Sequence, residues 1–329
     1  MLMTRRFTVL SRWLKSRIEH IRWFCCATVT SSLLAFVIAC SGDQPFTEAP
    51  SDNRARLYLD LAFGTPETLD VMTWNIETFP KVPETTPSIV AEAIQSLQPD
   101  VLAIQEVWDQ RYLEWVARQV GFQIEIAYNG PDSGLMFMYN PETVTIKDRA
   151  VALFQGLDYD FGYRGPVVLD LRYRNHDIRV INVHYKCCGN GLIEGDWWDE
   201  EYRRLQSSQR LKAFLDEKPD LPTMVVGDWN DELSDPPDRN IFQPFLDNPS
   251  DYRFADERLS QHVNQDLWSF PSFPSHIDHI LLNRPLFNES RVSAYAVETI
   301  LLEDALRDHQ LSYSDAVSDH RPVGIRLTF

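Results

Sequence analysis

From about residue 56 to the C-terminus, short apolar runs bounded by turn residues alternate with stretches of helical periodicity, and strands are predicted to outnumber helices. Leu69–Trp74 is strand-like. Thr86-Pro87-Ser88 then offers a cap and an early proline ahead of Ile89, Val90, Ala93, Ile94 and Leu97 at helical intervals. Val101–Ile104 is short and continuously apolar, which suits a buried strand, and Asp109–Val120 reads as a helix with Tyr112, Trp115, Val116 and Val120 on one face. Gly134–Tyr139 and Thr143–Ile146 read as strands around a turn at Asn140-Pro141-Glu142. Val167–Tyr173 and Ile178–Tyr185 read as a hairpin around Arg174-Asn175-His176-Asp177. A helix over Glu200–Leu215 precedes strands at Thr223–Gly227, Ile277–Leu282 and Val323–Leu327. Strands in antiparallel-looking pairs with helices between them define an α+β fold, two sheets packed face to face with helices on the outer faces. No repeat or low-complexity block interrupts the pattern, so residues 56–329 are expected to form one domain.

The first 55 residues follow a different pattern. A basic stretch ending at Arg22 leads into an uncharged apolar run from Trp23 to Ala39, and then into Cys40-Ser41-Gly42. The run is at the short edge for a bilayer-spanning helix and its small-residue end suits cleavage. Val37-Ile38-Ala39-Cys40 resembles the bacterial lipobox, whose cysteine is acylated, with Ile38 departing from the small residue usual there. The expectation is a lipoprotein signal peptide over 1–39, lipidation at Cys40, and a flexible tether over 40–55, which is polar and rich in Pro, Ser and Asp. That places a monomer in the bacterial cell envelope, lipid-anchored to the membrane and facing the periplasm or exterior. An uncleaved anchor, the other reading, also puts the domain outside the cytoplasm.

Charge narrows the choice of partner. The chain is −17 overall, and from Cys40 onward 25 basic residues face 47 acidic ones, a net −22. Such a surface repels a long polyanion over a Debye length of about 8 Å, so a nucleic-acid substrate needs a local basic path or screening by salt and divalent ions. Arg164, Lys186, Arg203 and Arg204 are the candidates for it. Of the five cysteines, Cys25, Cys26 and Cys40 fall in or at the leader, which leaves the adjacent pair Cys187-Cys188 and excludes a disulfide framework. The pair reads either as a vicinal disulfide or as two thiols, and a zinc site lacks further cysteines.

Acids, amides and histidines recur just after the apolar runs. Asn75 ends VMTWN, Glu106 ends VLAIQE, His184 ends VINVH, and Asp228 and Asn230 end MVVGDWN. Asp278 stands in SHIDHILL and Asp319-His320 in VSDHRP. Polar groups at strand ends can converge on one rim of a sheet without burying unpaired charge in the core. A phosphodiester resists hydrolysis because its anionic oxygens repel the nucleophile, and this inventory answers each part of that problem. Glu106 is a hard oxygen ligand for Mg2+ (or Mn2+ or Ca2+). His320 can accept a proton from water if a carboxylate, for which Asp278 is the candidate, orients its ring. Asn75, Asn230 and His184 can donate to phosphoryl oxygens, and Asp228 can position the water or a second ion.

Taken in order, WNIE, IQEV, VHYK, GDWND, HIDHILL and SDHRPV resemble the successive motifs of the endonuclease/exonuclease/phosphatase superfamily, and in particular its secreted deoxyribonucleases and sphingomyelinases. The resemblance implies a four-layer α/β/β/α sandwich with two packed, mostly antiparallel sheets. It makes Glu106 the main metal ligand with help from Asn75, and has the Asp278–His320 pair activate water. His184 would contact phosphate or donate a proton, and Asp228, Asn230 and Asp319 complete the site, Asp319 on the metal side. Inositol-phosphate phosphatases carry a Trp-Cys-Asp-Arg-Ile-Leu-like segment where this chain has His276 to Leu281, and base-excision repair nucleases a tyrosine in place of His184, so both branches fit less well.

The expected function is an extracytoplasmic phosphodiesterase or nuclease. Within the class the alternatives are a sphingomyelinase-type phosphodiesterase acting on a phospholipid head group, or a phosphomonoesterase; outside it, a catalytically idle binding module. Lys186, Trp197 and Trp198 are candidates for substrate binding, although a tryptophan pair also serves to anchor a loop to a core. Trp229 reads as core and His262 and His309 as surface. Strand alternation sends His279 to the face opposite Asp278, so His276 and His279 read as supporting contacts rather than ligands.

Overall fold

The computed structural model describes residues 57–130, 133–261, 264–287, 297–307 and 309–329. The leader, Cys40, the tether and His262 lie outside the described residues. In chain order the strands are β1 (Leu69–Phe79), β2 (Val101–Val107), β3 (Gln123–Ile126), β4 (Met136–Tyr139), β5 (Val144–Ile146), β6 (Val151–Ala152) and β7 (Val167–Tyr173). They continue with β8 (His176–His184), β9 (Thr223–Asp228), β10 (Tyr252–Phe254), β11 (Asp278–Asn283), β12 (Val297–Thr299) and β13 (Val323–Leu327). The three longest helices are α1 (Thr86–Leu97), α2 (Gln110–Val120) and α3 (Glu200–Asp216). One sheet has the order β12-β13-β1-β2-β4-β3, the other β10-β11-β9-β8-β7-β5 with β6 beside β7. Parallel pairing occurs at β1–β2 and β8–β9, and the remaining pairs are antiparallel.

Strand alternation sorts the side chains into layers. Leu69, Val71, Val101, Ala103 and Phe137 of the first sheet meet Leu169, Val180, Met224, Val226 and Ile280 of the second in a central layer. The opposite parity, Met72, Trp74, Leu102, Ile104 and Met138, packs under α1 and α2. On the far side Ile181, Val183, Val225 and Leu281 pack with Leu211 and Leu215 of α3 and with Trp229, Phe242 and Phe245. The result is the α/β/β/α sandwich, in which each fully buried large apolar side chain contributes about 1.5–3 kcal/mol. Asp109 caps α2 by accepting from Arg111 N at 3.1 Å, and Gly121 ends it in the left-handed region at φ 76°. Among the described residues no helix is long and apolar enough to cross a membrane.

Two local expectations change. The turn at Asn140-Pro141-Glu142 does not close a hairpin, because β4 belongs to the first sheet and β5 to the second. A turn signal reports that the chain bends, not which sheet the next strand joins. The β7–β8 turn is tighter than expected: Tyr173 pairs with His176, leaving Arg174-Asn175 as the loop, with Arg174 at φ 51°. The short strands β3, β6, β10 and β12 carry too few residues for a period to show.

Candidate active site

The inward parity of the strands runs past the apolar layer into polar residues at one end of the sandwich. In β1 the series is Val71, Thr73, Asn75; in β8, Val180, Asn182, His184; in β9, Met224, Val226, Asp228; and β11 begins with Asp278 before Ile280 and Leu282. Register places Asp228 opposite both His184 and Asp278. Beneath them lies a polar floor joining the sheets. Gln105 Nε2 donates to Thr73 Oγ1 at 3.0 Å and to Asn182 Oδ1 at 2.7 Å, while Asn182 Nδ2 donates to the carbonyls of Ile104 at 2.9 Å and Met136 at 3.0 Å. Glu106 has the outward parity of β2, but its φ of 61° turns the carboxylate back toward the site. There Oε2 accepts Thr78 N at 3.0 Å and Oε1 lies 3.2 Å from Asn75 Nδ2.

His320 stands at the centre of the cluster. Its Nδ1 donates to Asp278 Oδ2 at 2.8 Å, and its Nε2 faces Asp228 Oδ2 at 3.8 Å and Asp319 Oδ1 at 4.0 Å. The ring lies on Phe270, and its backbone is fixed by Ser318 Oγ, which accepts His320 N at 3.0 Å and donates to Asn75 O at 2.7 Å. Tyr313 donates its hydroxyl to the His320 carbonyl and accepts from Trp74 Nε1 at 3.1 Å. His184 Nε2 lies 3.4 Å from Asp228 Oδ2 and 3.9 Å from Glu106 Oε1. Asn230 N donates to Asp228 Oδ1 at 2.9 Å and its side-chain amide to Tyr185 O at 3.2 Å, so Asn230 braces Asp228 and the segment after β8.

Electrostatics separate the two histidines. Burial, then the cationic neighbours Arg164 and His320, push the His184 imidazole well below its ordinary range, which keeps it neutral. Burial also works against charge on His320, yet Asp278 and Asp228 overcome it and raise the group to about 10. Asp228 is pushed up to about 6 by burial, with Asp278 adding to the rise and His320 opposing it.

This donor set fits a hard divalent cation. Asn75 Nδ2 donates to both Glu106 Oε1 and Asp228 Oδ2, at 3.2 and 3.0 Å. The amide is held in that orientation by its Oδ1, which accepts Glu77 N at 3.0 Å, and the two carboxylates converging on it are hard oxygen donors whose charge a divalent cation would offset. Asp278 Oδ1, buried without a hydrogen-bond partner, adds a further acceptor beside the cluster.

The surrounding residues divide. Arg203 and Arg204 are buried and engaged: Arg203 donates to Tyr159 O, while Arg204 Nε donates to Asp231 Oδ2 at 2.8 Å and Nη1 to Lys186 O at 2.9 Å. They therefore form no open basic path. Arg164, which the motif pattern does not distinguish, lines a cleft of about 480 Å³ with Glu106, Trp108, Ser133 and His184, and its Nε has no partner. Trp197 and Trp198 are 65% and 57% exposed and lie edge to face at 5.5 Å, so they do not anchor a core. Trp197 packs on Tyr159 at 5.6 Å, and Tyr163 beside Arg164 is exposed. Trp229 is fully buried and His309 is exposed, as expected.

His276 and His279 form a separate buried triad with Asp256. His279 Nδ1 lies 2.6 Å from Asp256 Oδ2 and its Nε2 2.9 Å from Asp231 O, and His276 Nε2 lies 3.2 Å from the same carboxylate oxygen. Both His279 nitrogens face acceptors, so both carry hydrogens and the ring is a buried cation. Burial opposes that charge and Asp256 outweighs it, raising His279; burial likewise opposes ionisation of Asp256, which the two histidines hold far below its usual range. Asp256→Ala strands these rings and is expected to cost about 3–5 kcal/mol in urea unfolding. The loss should be greatest between pH 3.8 and 6.5. Asp256's share is present above the first value and lost on acidification through its depressed folded pKa, whereas His279's is complete below the second and lost as pH rises through its raised one. A loss that stays constant into alkaline pH would show that His279 is neutral.

The two-sheet sandwich thus gathers at its inner strand ends a His–Asp pair, further carboxylates and amides. Residues 72–320 match the model of the Endonuclease/Exonuclease/phosphatase family, and the chain belongs to that family of hydrolases. Solved structures show the same fold. A family member from Bacteroides thetaiotaomicron is similar at 15% identity and TM-score 0.53, over 81% of this chain and 99% of that one. TDP2 of D. rerio complexed with a single-strand DNA product is similar at 14% and 0.54, over 80% and 99%. The human Nocturnin catalytic domain with a bound sulfate anion is similar at 17% and 0.52, over 80% and 94%. No curated protein matches the sequence.

Proposed function

We propose that the chain is an extracytoplasmic, divalent-cation-dependent phosphodiesterase in which His320 takes the proton of the attacking water. The observation that carries this is the His320 ring itself, with Nδ1 fixed on Asp278 and Nε2 directed at Asp228 and Asp319. Glu106 and Asn75, with Asp319, would hold the ion, Mg2+ by the hardness of its ligands. Bound there, the ion supplies charge neutralisation for phosphoryl oxygens and offsets the carboxylates that keep His320 protonated. His184, neutral and buried, donates to a phosphoryl oxygen, and Asp228, braced by Asn230 N, positions the water. Arg164 and Lys186 contact the substrate at the rim.

Small or flexible diesters suit this site better than long duplex DNA. Two of the four candidate basic residues are engaged inside the protein, and the −22 charge from Cys40 onward repels a polyanion. Stacking on exposed Trp197 or Trp198 adds roughly 1–3 kcal/mol per base for a single strand. The expected order of kcat/KM is dinucleotide and single strand above duplex at low salt. A strong duplex preference would defeat this reading. The same exposed tryptophans favour a second reading, hydrolysis of a phospholipid head group, which selective cleavage of sphingomyelin vesicles would promote.

The lipobox-like segment supports anchoring of a monomer at the bacterial envelope through Cys40. Cys40→Ala should release the protein from membranes, and an N-terminus without acyl chains in the wild-type protein would refute the anchor.

A further inference from the structure

The hydrolysis described above makes no use of Cys187 and Cys188, yet the fold holds their sulfurs together. The two Sγ atoms lie 2.8 Å apart, inside ordinary contact between unbonded sulfurs, although both cysteines are free. Adjacent side chains on an extended strand point to opposite sides. Here Cys188 adopts φ 75°, a conformation costly for a non-glycine residue, and so folds its side chain back onto Cys187. The neighbours impose that turn. Arg204 Nη1 donates to the carbonyls of Lys186 at 2.9 Å and Cys188 at 2.6 Å, and Gly191 N donates to the Glu201 carboxylate. Gly189 follows at φ 116°, a conformation that L side chains rarely adopt and that favours glycine. Cys188 is exposed and Cys187 half-buried behind it, an arrangement that lets a reagent reach one thiol while the other stands ready to displace it.

We propose that Cys187 and Cys188 are a reversible modification site that exchanges with small disulfides of the glutathione class. The Cys188 thiolate attacks one sulfur of the reagent, whose other sulfur leaves as a thiolate and takes up the proton that Cys188 gave to solvent. Cys187, as thiolate, then attacks the Cys188 sulfur of the mixed disulfide and expels the second thiolate, which is protonated in turn. The protein loses two protons and two electrons and the reagent is reduced to two thiols. The ring contains the Cys187 carbonyl, which accepts Lys186 Nζ at 2.8 Å, and it constrains the short segment leading back to Tyr185, whose carbonyl accepts Arg164 Nη2 at 2.7 Å. Its closure therefore sets two rim cations and acts on KM more than on kcat. This kinetic consequence rests on Lys186 and Arg164 contacting the substrate.

The test uses the full chain, equilibrated with glutathione disulfide or reduced with dithiothreitol, then denatured, treated with iodoacetamide and digested with trypsin. After oxidation the peptide that begins at Cys187 should be unalkylated and about 2 Da lighter than the dithiol form. After reduction it should carry two carbamidomethyl groups. Two alkylated cysteines, or a persistent glutathione adduct, after equilibration with the disulfide would overturn the proposal. In parallel, KM for a dinucleotide should differ several-fold between the two states of the wild type. The double variant Cys187→Ser/Cys188→Ser should keep one KM under both treatments. Ring closure with an unchanged wild-type KM would overturn the link to substrate. Absence of phosphodiesterase activity in both states would count against the proposed function, while the peptide mass still decides the chemistry of the pair.

Discussion

His320→Ala should lower kcat by about 10²–10⁴-fold, the range for losing a general base, with KM changed far less. The backbone contacts of His320, to Ser318 Oγ and from Tyr313, do not involve its side chain and should survive the substitution. The fold is therefore expected to persist, as near-ultraviolet circular dichroism can verify. Asp278→Asn tests the same unit from the other side, because an amide there can hold the ring in the wrong tautomer. If the two residues act together, the double variant should be no slower than His320→Ala alone. A His320→Ala protein with wild-type kcat would move the base elsewhere, and fully additive losses would break the pair into independent parts.

Exhaustive chelation should abolish turnover and Mg2+ or Mn2+ should restore it, a difference of about 10²–10⁴-fold if the ion supplies several kcal/mol of charge stabilisation. A readout free of catalysis is also available. An ion that binds only the folded state raises Tm with its concentration, by mass action. That shift should shrink in Glu106→Gln, which removes a charge while keeping the shape of a side chain whose Oε2 accepts Thr78 N. Full activity after dialysis against chelator would sink the mechanism, and an undiminished shift in Glu106→Gln would place the ion elsewhere.

Much of the site was legible because it obeys the same alternation as the core. Asn75, His184 and Asp228 continue the inward series of their strands, so a strand and a polar residue at its end suffice to find them. Glu106 breaks the rule: its place at the end of an apolar run marked it, but alternation points it outward and only a left-handed φ, which no period announces, brings it in. The Asp256 triad was half visible, since alternation sends His279 away from Asp278, but nothing local announces that a carboxylate 23 positions earlier awaits it. Arg203 and Arg204 looked like surface cations at the start of a helix and proved to be buried struts. Their partners, Tyr159 and Asp231, come from distant segments that no spacing rule connects. That β4 and β5 join different sheets was hidden for the same reason, because a turn is local and a sheet is not.

The order of strands has a temporal consequence. The second sheet is built from one continuous stretch, β5 to β11, inserted between β4 and β12 of the first. The first sheet therefore waits for β13, which pairs with β1 and arrives directly after Asp319-His320. As the chain leaves the ribosome, Asn75, Glu106, His184, Asp228 and Asp278 are all synthesised before His320, the proposed base. A nascent chain that has not yet reached His320 carries the charged cradle without its proton acceptor. Under the proposed mechanism, hydrolysis by such a chain waits until its last strand has been made.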